Sequence, residues 1–316
     1  MKAKFTGHDT FSFRYGWNYK AVNHLNSGGK LQTSNDQKTQ EAIIELGVGK
    51  NMVNAIKYWA EATSAIKIIR QQSAVDHESS TTGLYIFDEN SGKDPYLEHI
   101  GSIWLIHFWL NFNDKELTAY RYFFNYFNGE HFEKSVLISN LSDDISKLVS
   151  NDVMLNDSTI KKDIDVFLNT YCKKNKSLKT ETKTLDEEQF NSPLAELNLV
   201  KDNGRGFFIS DLNEKQDLPI DIFMYALIKF IEKEASISKV FKVSFDSLLK
   251  DRYSPGRIFR LSEKGLGLKL DEAQQVTSEK ISWVDSLGLR QITVDETLIH
   301  GTENILDNYY KAVANG

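Results

Sequence analysis

Thr39 to Leu46 and Lys50 to Ser64 are two stretches of helical periodicity separated only by Gly47-Val48-Gly49. Glycine at both ends of a three-residue gap stops one helix and lets the next start at a steep angle, so the spacing predicts a helix-turn-helix. Trp17 to Asn26 reads as a further helix ahead of it. In the third helix Val53, Ile56 and Ala60 share one face, and Lys50, Asn51, Asn54 and Lys57 lie on the other. A helix that enters a major groove needs an apolar back to seat it and a Lys/Asn front to meet phosphates and base edges. Ala65-Ile66-Lys67-Ile68-Ile69 and Leu84-Tyr85-Ile86-Phe87 read as strands that would supply a wing. The same pattern also suits a packing motif that meets another protein.

The rest of the chain is mostly helical in its spacing. Ile100 to Asn113, Leu117 to Phe127 and Asp157 to Tyr171 carry apolar residues at three- and four-residue steps. Two polar stretches interrupt this order. Gln71 to Lys93 reads as a loop, a short strand and a second loop, and Cys172 to Thr184 as a solvated linker. Beyond the linker, Glu187 to Leu197 reads as a helix. Asn203-Gly204 lies between apolar runs, the signal of a hairpin ending in Phe207-Phe208-Ile209. Ile220 to Glu232 and Ser244 to Lys250 read as helices. The expected fold is mainly α, with winged-helix (helix-turn-helix) modules at both ends and a helical middle. The expected boundaries are an N-terminal DNA-binding module at 1–92, the helical middle at 93–180, and a C-terminal winged-helix-like module at 181–316.

Charge decides where a nucleic-acid contact can form. Lys plus Arg number 38 against 44 Asp plus Glu, a net charge of −6, so no global positive field draws in a polyanion. Any contact must come from locally basic elements. Lys250 to Lys269 is one, with six basic residues against two acidic ones; Arg252, Arg257, Arg260 and Lys264 are its candidate phosphate contacts, with a solvated charged surface as the competing reading. At 41% hydrophobic and 26% charged residues, disorder along the whole chain is excluded. The apolar run Ile103-Trp104-Leu105-Ile106 is too short to span a bilayer, and the first residues lack the apolar core of a secretory signal. A single cysteine, Cys172, excludes an internal disulfide framework and fits a reduced, cytoplasmic setting.

His8-Asp9 is the sharpest chemical pair. A nuclease needs a carboxylate or imidazole to hold a metal or to take a proton from water, and a cation to offset charge on the phosphate. His8, Asp9 and Arg14 would fill those roles if the fold gathers them; otherwise Asp9 or Thr10 caps a helix and His8 bonds within the fold. Asp94 and Glu98, four residues apart, are candidates for a divalent cation, with capping before Pro95 as the simpler role. His107, on an apolar helix, reads as a core histidine. Asp163 and Asp165 point to different sides of their helix and make a poor metal pair. Glu181-Thr182-Lys183 fits the tail of a nuclease motif but lies in a Lys/Thr-rich loop. No Walker loop, zinc spacing or Ser-His-Asp order is present.

Several short segments together closely resemble the SspB-like family, a bacterial domain of unknown function found beside DNA phosphorothioation genes. They are Phe5-Thr6-Gly7-His8-Asp9-Thr10-Phe11, Arg14-Tyr15-Gly16-Trp17, Leu46-Gly47-Val48-Gly49-Lys50-Asn51-Met52-Val53, Asp94-Pro95-Tyr96-Leu97-Glu98, Trp104-Leu105-Ile106-His107, Lys162-Asp163-Ile164-Asp165-Val166-Phe167, Ser192-Pro193-Leu194 and Ser254-Pro255-Gly256-Arg257-Ile258-Phe259. They run in the family's order over nearly the whole chain. The resemblance implies a protein that binds double-stranded DNA in an anti-phage sulfur-modification system. It also implies nicking of one strand with the help of Mg²⁺ or another divalent metal, so that sulfur can enter the backbone. The partners it implies are a cysteine desulfurase, an ATP-dependent sulfur-transfer enzyme and an ATPase. Two other roles stay open: a non-catalytic DNA-binding module that recruits that machinery, and a protein-binding adaptor. No membrane partner is expected.

Overall fold

Glycine ends the second helix where the spacing predicts. β1 (Lys2–Ala3) is followed by α1 (Trp17–Asn26), α2 (Asp36–Leu46) and α3 (Lys50–Ala62). Gly47 takes a left-handed φ of 64°, a conformation that costs glycine nothing. Gly49, extended at ψ 163°, is the N-cap of α3. The computed structural model describes residues 1–32, 36–71, 74–150, 156–173, 191–238, 241–286 and 288–315. Among them the protein is mainly helical, with four small sheets.

β2 (Ile66–Gln71) and β3 (Ala74–Ser79) form an antiparallel hairpin with Ile66 opposite Ser79 and Gln71 opposite Ala74. The second strand of this hairpin is therefore not Leu84–Phe87. That segment belongs to a helix, α4 (Thr81–Phe87), whose N-cap Ser80 accepts a hydrogen bond from the Gly83 amide at 2.8 Å. A short apolar run fits a strand or a buried helix turn equally well, and here the serine cap decides. β3 lies instead in the polar stretch read as a loop. Its Val75 is exposed, so backbone pairing rather than hydropathy defines it.

α5 (Ile100–Asn111) is buried almost all round. β4 (Glu116–Leu117) pairs parallel with β1, so the helix read from Leu117 begins only with α6 (Ala119–Asn125). β5 (His131–Glu133), α7 (Lys134–Leu148) and α8 (Asp157–Tyr171) follow. Of the helix read over 187–197, residues 187–190 lie outside the described ones, and Pro193–Leu197 is a single 3-10 turn capped by Ser192. β6 (Lys201–Asp202) and β7 (Phe207–Ile209) form the expected hairpin around Gly204, in a sheet of order β5-β7-β6. The remaining elements are α9 (Ile220–Ser238), β8 (Lys242–Ser244), α10 (Phe245–Lys250), α11 (Pro255–Ile258), α12 (Glu263–Val276), β9 (Ile281–Ser286), β10 (Leu289–Val294), α13 (Glu296–His300) and α14 (Thr302–Asn315). The last sheet has the order β8-β10-β9. Of the linker read over Cys172 to Thr184, only Cys172 and Lys173 are among the described residues, and Cys172 is buried.

The chain divides into two units. One gathers Met1–Glu98, Asp114–Tyr122 and His131–Ile209; the other gathers His99–Asn113, Phe123–Glu130 and Ser210–Gly316. The core of the first is aromatic: Trp59 of α3 lies 5.6 Å from Phe13, 5.2 Å from Tyr58 and 5.8 Å from Tyr120, ring centre to ring centre. In the second, Phe259 packs edge-on to Trp104 at 5.6 Å and tilted against Phe108 at 5.9 Å. Contacts at these distances add ~0.5–1.5 kcal/mol per pair beyond the burial itself.

Candidate nucleic-acid interface

The back of α3 is set by burial. Val53, Ala55, Ile56, Tyr58, Trp59 and Ala60 are all buried. Lys50 and Asn51 are exposed, and Asn54 and Lys57 half-exposed, so the four form the face that the spacing predicts. No acidic residue stands in the first turn of α3. Lys50 therefore adds its charge to the positive end of the helix dipole instead of being neutralised there. The far end of α3 is anchored by charge. Glu61 binds His77 at 2.7 Å and Lys4 at 3.1 Å; Lys4 also meets Glu116 at 3.2 Å, and Glu116 meets the buried Arg121 at 3.0 Å. Burial works to raise the Glu61 carboxyl, but the His77 hydrogen bond and the Lys4 ammonium outweigh it and hold the group below its ordinary value.

A tight loop crosses this helix. Gly7, Asp9 and Thr10 all have left-handed φ angles, 109°, 45° and 67°. Trp59 Nε1 donates to the Phe11 carbonyl at 3.0 Å, and Asn54 Nδ2 donates to Asp9 Oδ2 at 2.9 Å, fastening the loop to α3. His8 is buried. The Thr10 amide donates to its Nδ1 at 3.1 Å, and its Nε2 donates to Asp163 Oδ1 at 3.0 Å. With one nitrogen accepting and the other donating, the ring is a neutral tautomer whose lone pair is already used. Arg14 does not join His8 and Asp9; its guanidinium lies over the rings of Phe11 and Trp17 at 5.3 and 5.4 Å. The loop thus brings Asp9 and Asn54 together and gives His8 to Asp163, a partner 155 positions away that no local pattern signals.

In the second unit the basic cluster separates into different environments. Arg260 is buried at a left-handed φ of 55° and donates to the Ser210 carbonyl at 2.8 Å. Burial and the nearby Arg257 push its guanidinium down to about 10. Lys264 is exposed but paired with Glu214 at 2.5 Å. Arg257 donates to Asn128 Oδ1 at 3.0 Å and to the Phe127 carbonyl at 3.3 Å. Arg252 is exposed and lies over the Tyr126 ring at 4.4 Å. Arg252 and Arg257 line one pocket with Lys250; Arg260 and Lys264 do not. Lys250 opens the basic cluster but is not among its four candidate phosphate contacts, and Asn125 and Asn128 come from a distant segment that spacing does not connect to it.

The family described as "Protein of unknown function (DUF4007)" matches residues 5–310. The chain belongs to that family. Two solved structures share the fold of this DUF4007 chain: a magnesium-ion-bound SspB crystal structure with a TM-score of 0.79, and an SspB crystal structure with a TM-score of 0.80. Each is 24% identical and spans 98% of this chain and 89% of the SspB chain. The likeness to SspB-like proteins read from the short motifs is borne out. No curated protein matches.

One of those SspB structures holds a magnesium ion, and in this DUF4007 chain Asp94 and Glu98 are the carboxylates expected to bind such an ion. Asp94 is buried, and its Oδ1 accepts the Glu98 amide at 2.8 Å. Residues 94–98 form a turn with Leu97 at φ 58°, not a helix, so the two carboxylates are not stacked one helical turn apart. Among the described residues no three His, Cys, Asp or Glu side chains gather as a metal-binding group. Asp94 and Glu98 therefore do not form a divalent-cation pair. Glu181-Thr182-Lys183 lies outside the described residues. Among those described, no helix is long and apolar enough to cross a membrane.

Proposed function

We propose that this protein binds double-stranded DNA and serves as the DNA-recognising component of a DNA phosphorothioation, or sulfur-modification, anti-phage system. In this reading α3 is the groove-reading helix. The observation that carries it is the face of Lys50, Asn51, Asn54 and Lys57 over a fully buried apolar back. The order α1, α2, α3, then the β2–β3 hairpin, is that of a winged helix. In the second unit α9, β8, α10, α12 and the β9–β10 hairpin follow in comparable order. We read both as winged-helix modules. Arg252 and Arg257 are further candidates for phosphate contact.

Such a protein would work in the cytoplasm and recruit a cysteine desulfurase, an ATP-dependent sulfur-transfer enzyme and an ATPase to the bound duplex. Recruitment is preferred to catalysis because both nitrogens of His8 are engaged, which leaves that ring no lone pair with which to accept a proton from water.

The test is the affinity for a labelled duplex across a salt series. Lys50→Ala/Lys57→Ala is expected to weaken binding at every salt concentration and to flatten the log–log salt slope by about two, roughly one per lost phosphate contact. Wild-type affinity in that variant would overturn the assignment of α3.

Magnesium in a protein of the same fold supports a second reading, strand nicking. It is tested by incubating the protein with supercoiled plasmid, with Mg²⁺ or Mn²⁺ and with chelator. Metal-dependent conversion to open circles that survives further purification would establish it; unchanged supercoiled plasmid would leave recruitment.

A further inference from the structure

The second unit contains a concave site that the α3 reading does not use. Tyr126 and Asn128 just after α6, together with Asn125 at its end, face Lys250, Arg252 and Arg257 across a pocket of about 190 Å³. Three cations, two carboxamides and a phenol line it, and no carboxylate does. Lys250 also pairs with Asp246, whose Oδ1 accepts from its Nζ at 3.3 Å, so the two guanidiniums carry the uncompensated charge; Asp251 accepts from the Ser247 hydroxyl.

The cations are held in place. Arg252 holds its guanidinium carbon 4.4 Å from the centre of the Tyr126 ring, a cation–π contact. Arg257 is fastened through one terminal nitrogen to Asn128 and the Phe127 carbonyl, while its Nε is buried with no hydrogen-bond partner. A buried donor left bare is costly, which makes it a feature that needs an acceptor. Burial and the charge of Arg252 together lower the Arg257 guanidinium. Two guanidiniums converging without a carboxylate between them repel, and an anion bound between them relieves that repulsion.

We propose that this pocket binds a single phosphate group. Guanidinium forks match the tetrahedral oxygens of phosphate, the ammonium adds a point charge, and Asn128, whose oxygen accepts from Arg257, has an amide nitrogen to donate to a remaining oxygen; Asn125 is already bonded to the Asn111 carbonyl and the Tyr253 amide and only lines the wall. The group is either a backbone phosphate of nucleic acid or the phosphate of a small free compound; both present the same oxygens. The proposal stands independently of α3.

The test titrates the full-length protein calorimetrically with inorganic phosphate at low ionic strength, and separately with a short DNA duplex. Wild type is compared with Arg252→Gln and Lys250→Gln/Arg252→Gln, whose exposed side chains leave the fold intact by circular dichroism and melting. Affinity for at least one ligand is expected to fall roughly tenfold for each cation removed. Lys50→Ala/Lys57→Ala is expected to leave phosphate binding unchanged, so a failure of α3 is distinguishable from a failure of the pocket. Loss confined to the duplex arm, or displacement of phosphate by duplex, assigns the site to the DNA backbone. Loss in the phosphate arm without competition from duplex assigns it to a free phosphate compound. If neither ligand's affinity falls in the double variant, the proposal is overturned.

Discussion

Asp163 holds His8. Its Oδ1 lies 3.0 Å from His8 Nε2, and its Oδ2 accepts the Ala119 amide at 2.7 Å. The carboxylate is almost entirely buried, 1% exposed, so it has no water to fall back on. One side chain of α8 thus fixes both the loop that crosses α3 and the start of α6.

His8→Ala is expected to destabilise the first unit by ~1–3 kcal/mol, the cost of leaving a buried acceptor without its donor. DNA affinity of the folded protein should be nearly unchanged. Denaturant unfolding and duplex binding on the same sample check this. A variant with wild-type stability but lost DNA activity would instead place the His8 ring at the working site.

His107 sets a pH limit on the second unit. Burial drives its imidazole down to about 3, against a smaller opposing effect of its hydrogen bond to the Ile258 carbonyl at 2.9 Å. The folded protein therefore refuses a proton that the unfolded chain accepts below its ordinary value near 6.5. Stability should be flat above that pH and fall by up to ~1.4 kcal/mol per unit as the solution is acidified towards 3. His107→Gln lowers the plateau but should remove this part of the slope. Chemical denaturation between about pH 7.5 and about pH 5 measures the difference.

Gly101 is a close-approach position. A Cβ there would stand 2.2 Å from Tyr309 Cζ, and the Gly101 amide donates to the Tyr309 hydroxyl at 2.9 Å. Gly101→Ala should cost more than the ~1–3 kcal/mol usual for overpacking. Adding Tyr309→Leu should recover part of the loss. Two costs that simply add would show that the clash is not the cause.

On α3 the lysines and asparagines should separate in kind. Lys50→Ala changes the salt slope and weakens all sequences alike. Asn51→Ala should leave the slope intact and reduce discrimination between sequences by ~1–3 kcal/mol at the base pair it meets. A panel of single-base substitutions in the duplex, each measured with both variants, resolves the two effects.

The helical scaffold was legible because its signal is local. Val53, Ile56 and Ala60 recur at helical spacing, and Gly47 and Gly49 punctuate the turn. The identity of residues 84–87 was not, because a four-residue apolar run carries no period of its own and the Ser80 cap outside it decided the outcome. Arg260 looks like its neighbours in a basic cluster, yet a left-handed turn directs it to the Ser210 carbonyl. His8 with Asp163, and Tyr126 with Arg252, are joined across distant segments, so residue spacing holds no trace of them.

The order of synthesis exposes a weakness in this arrangement. α5 is apolar on nearly every side, yet Gly101 and Ser102 bond to Tyr309 and Tyr310, 208 positions later in the chain. At about 5–20 residues per second, the helix leaves the ribosome about ten to forty seconds before those tyrosines exist. Throughout that interval Trp104 and its neighbours are sticky surface on a nascent chain. The second unit should therefore depend on chaperone shielding during translation, and fragments ending before α14 should aggregate.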